Sequence, residues 1–354
     1  MSRARDLADL GSSADAGGLT GRNLIINGAM SVAQRSTSVA SLGTANGYNT
    51  VDRWQMFVGG TASAGRFTQS QASVTDLAGF PKSLKHEVTT DDTSIAAGEA
   101  LQIAQLIEGQ NLQALKKGYS DAEQFTVSFY VKGTAKTYVV EMYDADNTRH
   151  VAKTFSVTSS WSRVELTFPA DTTGKFDNDN AVSLYLIVWL HCGNDFTSGT
   201  LPATWASVTN ANRAAGCESL YSAIGNTFEI TGVQLEAGQK ATPFEHENYG
   251  TTLGKCQRYY NRLGFLRHQF FSSSVNSANP DLVHSVTFTP MRDPPTANPY
   301  TDAAYSSSGS TTSTSTTLTL ASITITSLTA TMQHSGTGTS AVKAQYYLEL
   351  VSEL

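Results

Sequence analysis

The stretch NTFEITGVQLEAGQKATPFEHE, Asn226–Glu247, decides the fold class. Phe228 and Ile230 alternate with Glu229 and Thr231, as in a strand with one buried face. The apolar phase then slips by one residue, so that Val233 and Leu235 face inward and Gln234 and Glu236 outward. Gly232 stands at the slip, where a glycine can open a β-bulge and restore the register. Gly238 and Pro243 end the pairing, one by breaking the pattern and the other by lacking an N–H. This is the closing strand of a β-sandwich, with Glu236 and Glu245 in structural roles.

Outward from that strand, the signals continue in the same style. Asn23–Gly28 is a short apolar run ended by a turn. Strands are expected at Val51–Val58, Phe125–Val131, Tyr138–Tyr143, Val151–Val157 and Arg163–Phe168. Val182–Leu190 is almost continuously apolar, as in a strand covered on both faces. Turn residues separate most of these runs, and no helices alternate with them. Ala96–Leu115 has mixed spacing that fits either a helix or a strand followed by a turn. Gly193–Gly225 carries no strand pattern, and a stretch that long is more often functional than decorative.

The fold class is all-β: a β-sandwich or jelly roll, a short helix, and a second, smaller β-domain, preceded by an N-terminal arm. Residues 1–22 form the arm, with Arg3, Arg5, Leu7 and Leu10 on a helix too short to stand alone in water. Residues 23–248 form the sandwich or jelly roll and 249–263 a helical connector, where Leu253, Cys256, Tyr260 and Leu263 recur at helical spacing. Residues 264–354 return to strands, and Val342–Leu350 is the clearest period-two run of the chain. The Ser/Thr run Ser306–Thr317 reads as an exposed hairpin loop.

Composition narrows the function classes. Of 354 residues, 40% are hydrophobic and only 15% charged, below the usual level of about a quarter. The net charge of −6 argues against a nucleic-acid partner, which calls for a basic face. No apolar run is long enough for a membrane helix, and the first residues lack the apolar core of a signal peptide, so no membrane insertion is expected. Cys192, Cys217 and Cys256 have no metal-ligand spacing and read as small buried thiols, with a Cys192–Cys217 bridge as the alternative.

Catalytic motifs are absent: there is no G-x-S-x-G, no H-E-x-x-H and no P-loop. Carboxylate pairs for glycoside hydrolysis could be drawn from Glu141, Asp144, Asp146 and Glu165, but no sequence fixes their separation. The expectation is a protein that is not an enzyme and has no cofactor. Asp144 and Asp146, and likewise Asp177 and Asp179, place hard oxygen ligands within one turn, the chemistry of a structural calcium site; turns that bond their own backbone are the alternative. A glycan site is expected in the long loop, where Phe196, Trp205 and Tyr221 offer rings and Asn210, Asn212 and Arg213 offer hydrogen bonds. Against this, Trp205 could simply plug the loop onto the sandwich.

Three stretches together resemble tail-fibre and tail-tip proteins of tailed bacteriophages, especially marine ones. They are NLIINGAMSVAQR (Asn23–Arg35) with YNTVDRW (Tyr48–Trp54); Phe176–Val182 with NDFTSGTLPATWASVTNANR (Asn194–Arg213); and ITGVQLEAGQKATPFE (Ile230–Glu245) running into CQRYY (Cys256–Tyr260). The resemblance implies a jelly roll similar to carbohydrate-binding modules, on a virion appendage that is usually trimeric. It implies attachment to other tail proteins through the N-terminal arm and adsorption to host-surface polysaccharide, in a virion assembled in the host cytoplasm. TFTPMRDPPT (Thr287–Thr296) is its best match in the C-terminal part. A virion adaptor without glycan binding, and a polysaccharide depolymerase, are the alternative functions.

Overall fold

In the computed structural model, the described residues are 21–59, 63–275, 281–308, 316–334 and 338–354. The arm residues Arg3, Arg5, Leu7 and Leu10 lie outside them. The chain divides into two compact units, Met1–Thr252 and Leu253–Glu353.

The first unit holds strands β1 (Ser38–Leu42), β2 (Gln55–Gly59), β3 (Arg66–Ser73), β4 (Lys82–Thr90), β5 (Ala100–Glu108), β6 (Phe125–Gly133), β7 (Lys136–Asp144), β8 (Arg149–Val157), β9 (Ser162–Phe168), β10 (Val182–Cys192), β11 (Ala206–Ser207) and β12 (Thr227–Ala237). They form two six-stranded sheets, in the orders β1-β3-β4-β12-β6-β9 and β11-β8-β7-β10-β5-β2. Every pairing in both sheets is antiparallel. The chain repeatedly crosses from one sheet to the other, as in a jelly roll. Alternation puts Phe67, Leu84, Phe129 and Phe228 of the first sheet against Ile103, Tyr138, Val140 and Leu186 of the second, all within one buried cluster. Ring contacts stitch the sheets together, Phe129 with Phe155 at 5.0 Å and Tyr138 with Phe228 at 5.3 Å.

The last strand of the unit, β12, lies inside its sheet between β4 and β6. Its pairing with β6 shifts register between Thr231 and Gln234, and Gly232 sits there at φ +61°. The bulge expected at the phase slip is therefore present. Beyond it, β4 no longer pairs, and the apolar run at residues 23–28 lies alongside instead: Leu24 N–H donates to Leu235 O (2.9 Å) and Val233 N–H to Gly28 O (3.0 Å). Glu245 accepts from Asn23 N–H (2.9 Å), while Glu236 accepts from Thr242 N–H (2.8 Å) and Thr242 Oγ1 (2.7 Å). Both glutamates fix backbone.

Three strands go beyond the sequence-based expectations. β1, β3 and β4 carry RFTQSQAS-like polar sequence with little alternation, yet they complete one side of the first sheet. In Ala96–Leu115 the strand-then-turn reading holds, as β5 runs into two 3-10 turns at Gly109–Asn111 and Gln113–Leu115. In the long loop, α1 (Asn194–Thr197) and β11 are the regular elements apart from single 3-10 turns. Helix α2 (Tyr249–Gln257) is shorter than the connector expected at 249–263. Tyr259 N–H turns back to Cys256 O (2.9 Å), and from Tyr260 the chain pairs as a strand, which overrides the helical spacing of Tyr260 and Leu263.

The second unit is also all-β. Its sheets are β13 (Tyr260–Val275), β18 (Gly338–Val351) and β15 (Thr296–Ser308), and β14 (Asp281–Thr287), β17 (Ser327–His334) and β16 (Thr316–Ala321), each antiparallel. Val286, Met291, Leu328, Ala330, Leu348 and Leu350 form its buried cluster. The segment between β15 and β16, where the Ser/Thr loop is expected, lies largely outside the described residues.

Candidate functional site

The outer face of the second sheet carries the chemistry. Trp54, just before β2, and Met56 and Val58 on it join the core, so Gln55 and Phe57 point the other way. The same alternation turns Gln102, Ala104 and Leu106 of β5, Tyr185, Ile187 and Trp189 of β10, and Glu141 and Tyr143 of β7 to the outer face.

The long loop covers part of this face. Phe196 packs on Trp189 with ring centroids 5.1 Å apart, and Ala214 is buried in the same cluster. Arg213 reaches to the sheet and binds Glu141 through Nε (2.9 Å to Oε1) and Nη2 (3.0 Å to Oε2). Glu141 also accepts from Trp189 Nε1 at 2.9 Å and lies 2.9 Å from His150 Nδ1, so its oxygens are fully engaged. Burial alone would push this carboxyl up, but the hydrogen bond from His150 and the charge of Arg213 hold it below the usual carboxylate range. A carboxylate held ionised in this way lacks the proton that a general acid must give.

Beyond the loop, three half-buried rings stand in a row across β7, β10 and β2. Tyr143 and Tyr185 meet edge to face at 5.6 Å, and Tyr185 and Phe57 at 6.3 Å. The small Ala104 on the intervening β5 lets Phe57 and Tyr185 lean together. The Arg213 guanidinium carbon lies 5.4 Å from the Tyr143 ring centroid and closes one end of the row. Burial, with Tyr143 as a second cause, pushes the Tyr185 phenol up, so Tyr185 presents a neutral hydroxyl at neutral pH. Gln55 Oε1, beside Phe57 on the same strand face, is buried with no hydrogen-bond partner. Rings with hydroxyls, an amide and a guanidinium alongside can stack on an apolar surface and bond to its polar edges.

The residues expected in a glycan site are distributed differently. Trp205 is 7% exposed: its indole N–H donates to Pro169 O (2.9 Å), and its ring packs on Phe125 at 6.2 Å and under Lys117 Nζ at 5.2 Å. Tyr221 is 1% exposed, between Phe67 and His191. Asn212 accepts from Thr200 N–H (2.9 Å) and shapes the loop, and Asn210 opens the turn beside it. Phe196 and Arg213 are the two that reach the outer face of the sheet. Tyr143 was partly legible, because it alternates with Glu141; Tyr185 was hidden in an unbroken apolar run.

The acidic loops do meet, through Asp177 N–H donating to Asp146 Oδ2 (3.0 Å). Asp144 is buried against Lys117 Nζ at 2.6 Å and accepts from Asn147 N–H (3.1 Å), and Asp179 accepts from Ala181 N–H (2.9 Å). Among the described residues, no three His, Cys, Asp or Glu side chains are grouped to hold a metal ion. Glu165 is half-exposed and pairs with Arg163 at 2.9 Å.

No protein-family model and no curated protein matches the sequence. Among solved structures, the chain is similar to a family 4 carbohydrate-binding module, at 12% identity over 60% of this chain and 98% of that one, with a TM-score of 0.31. It is similar to the family 11 module of a Clostridium thermocellum cellulosomal cellulase at 13% identity, over 56% and 99% of the two chains and a TM-score of 0.27. A CBM22-1 xylan-binding domain from Paenibacillus barcinonensis gives 13%, 58%, 94% and 0.27 in the same order. These neighbours are carbohydrate-binding modules; the fold assignment made above rests on the strand order itself.

Proposed function

We propose that this protein binds glycans without cleaving them, and that it does so as a tail-fibre protein of a tailed bacteriophage adsorbing to host-surface polysaccharide. The observation that carries the binding reading is the row Phe57, Tyr185, Tyr143, edged by Gln55 and Arg213, on an outer sheet face. Its rings supply stacking area, and its polar edges supply direction. The phage reading is supported by the resemblance of the Asn23–Arg35, Asn194–Arg213 and Ile230–Glu245 stretches to tail-fibre proteins, and with it go a homotrimer and attachment through residues 1–22.

A glycan array probed with the full chain tests the binding, and reducing-end release from bound polysaccharide tests the absence of cleavage. Binding without release supports the proposal. Release that disappears in Glu141→Gln overturns it in favour of a depolymerase, and no binding across the array favours a virion adaptor. Density for residues 1–22 against another tail protein in a particle reconstruction tests the attachment.

A further inference from the structure

Lys117 stands between two carboxylates in a buried setting that glycan binding does not use. It lies two residues past the turn at Gln113–Leu115, and its side chain is 4% exposed. Its Nζ is 2.6 Å from Oδ2 of Asp144, the last residue of β7, whose side chain is fully buried. Asp171, a few residues beyond β9, places its Oδ2 3.2 Å from the same nitrogen. The ring centroids of Phe176 and Trp205 each lie 5.2 Å from Nζ. One primary amine, two carboxyls and two aromatic rings are therefore gathered away from water.

The surroundings give each group a separate part. Lys117 Nζ donates to Gly174 O (2.8 Å) and Thr173 O (3.0 Å). A neutral amine has two N–H donors and one lone pair, so with both donors taken the lone pair is left for Asp144, the nearest contact. One carboxyl C–O bond of about 1.2 Å further on, Asp144 Cγ lies within about 4 Å of Nζ. Asp144 Oδ1 accepts from Asn147 N–H (3.1 Å) and Nδ2 (3.2 Å), donors placed to hold negative charge growing on that oxygen. Asp171 is the ionised member: Arg149 donates through Nε to Oδ2 (2.9 Å), and Thr173 N–H donates to Oδ1 (3.0 Å). Burial alone would push the Asp171 carboxyl up, but the bond from Arg149 keeps it below the usual carboxylate range.

We propose that Lys117 and Asp144 join in an intramolecular isopeptide bond, with Asp171 as the proton carrier. The Lys117 ammonium first passes one proton to Asp144 Oδ2 along their 2.6 Å contact. The amine lone pair then attacks Asp144 Cγ: the Nζ–Cγ bond forms, and the carbonyl electron pair moves to Oδ1, beside Asn147. Asp171 takes a second proton from Nζ and gives it to Oδ2. The Cγ–Oδ2 bond breaks, the Oδ1 electron pair restores the C=O, and Oδ2 leaves as water. One ammonium and one carboxylate become one amide and one water, so atoms and charge balance and no oxidant or cofactor is consumed. Holding the two groups in contact supplies the effective concentration that a free amine and a free acid lack in water. The bond ties the connection between β5 and β6 to the end of β7.

The test denatures the purified full chain, dimethylates its free amines and maps peptides by mass spectrometry. The proposal expects Lys117 to escape labelling and to appear in a branched peptide joined to Asp144, lighter by one water than its two parts. Lys117→Met should remove the branch. Asp171→Asn should leave Lys117 and Asp144 unjoined in a protein whose denaturant midpoint, read by tryptophan fluorescence, shows it folded. If either variant does not fold, the wild-type peptide map decides alone. Lys117 dimethylated in the wild type, a branch at Asp171 in place of Asp144, or an Asp171→Asn protein joined as completely as wild type would overturn the proposal.

Discussion

Replacing Gly232 by alanine probes the point where the closing strand changes phase. Gly232 sits at φ +61°, and a Cβ there would lie 2.8 Å from Phe80 Cε1, 2.9 Å from Phe80 Cζ and 3.0 Å from Tyr130 Cδ2. The left-handed backbone costs an L-residue about 1–2 kcal/mol. Displacing two packed rings adds about 1–3 kcal/mol, the range for overpacking a filled site. Phe80 is not free to swing away, since it also touches Phe244 and His246 at 5.1 Å each. The expected loss is therefore about 2–5 kcal/mol. Trp54, Trp161, Trp189 and Trp205 all lie in the first unit, so the denaturant midpoint read by tryptophan fluorescence reports on that unit. Gly250→Ala, at a helical position with open space around it, serves as the control and should stay within about 0.5 kcal/mol of wild type. A Gly232→Ala midpoint indistinguishable from this control would refute the bulge as a steric requirement.

Two further predictions concern buried charge. His86 is fully buried beside Phe67, and burial lowers its pKa from the ordinary 6.5 to about 3. The unfolded chain binds a proton that the folded one refuses, so stability is complete above pH 6.5 and falls with pH at about 1.4 kcal/mol per unit toward about 3. His86→Leu should remove up to one proton from the slope of stability against pH between 5 and 6.5, and an unchanged slope would contradict this assignment. Arg213→Ala strips the bidentate partner from buried Glu141 and should cost about 3 kcal/mol by the same fluorescence assay, whereas a loss below about 1 kcal/mol would mean that His150 and Trp189 suffice.

The closing strand shows how much of this was legible. Its phase slip, its glycine and its terminating residues were all readable, because a half-buried strand must alternate and a bulge needs a permissive backbone. That β12 inserts between β4 and β6 was not readable, since β3 and β4 are polar strands whose pairing depends on distant partners. The connector shows local spacing losing to tertiary pairing, as Tyr260 leaves the helical pattern to join Val351. In the site, Arg213 was recognisable from residue type alone, but its carboxylate lies 72 residues earlier in the chain. Trp205 could be read either as a ligand platform or as a plug of the loop onto the sandwich, because sequence reports a ring and not its burial; it is the plug. Tyr185 and Phe57 stayed hidden for the converse reason: they stand in apolar runs, and only the sheet order shows that their faces turn away from the core.

The central claim is that Tyr143 and Tyr185 form the floor of a glycan site. Titrating wild type, Tyr143→Ala, Tyr185→Ala and the double variant with the tightest oligosaccharide from the array tests it most directly, with each variant's fluorescence midpoint checked in parallel. Each single ring should cost about tenfold in Kd, near 1.4 kcal/mol, and the double variant about a hundredfold or more. Folded variants that bind as tightly as wild type would contradict the account.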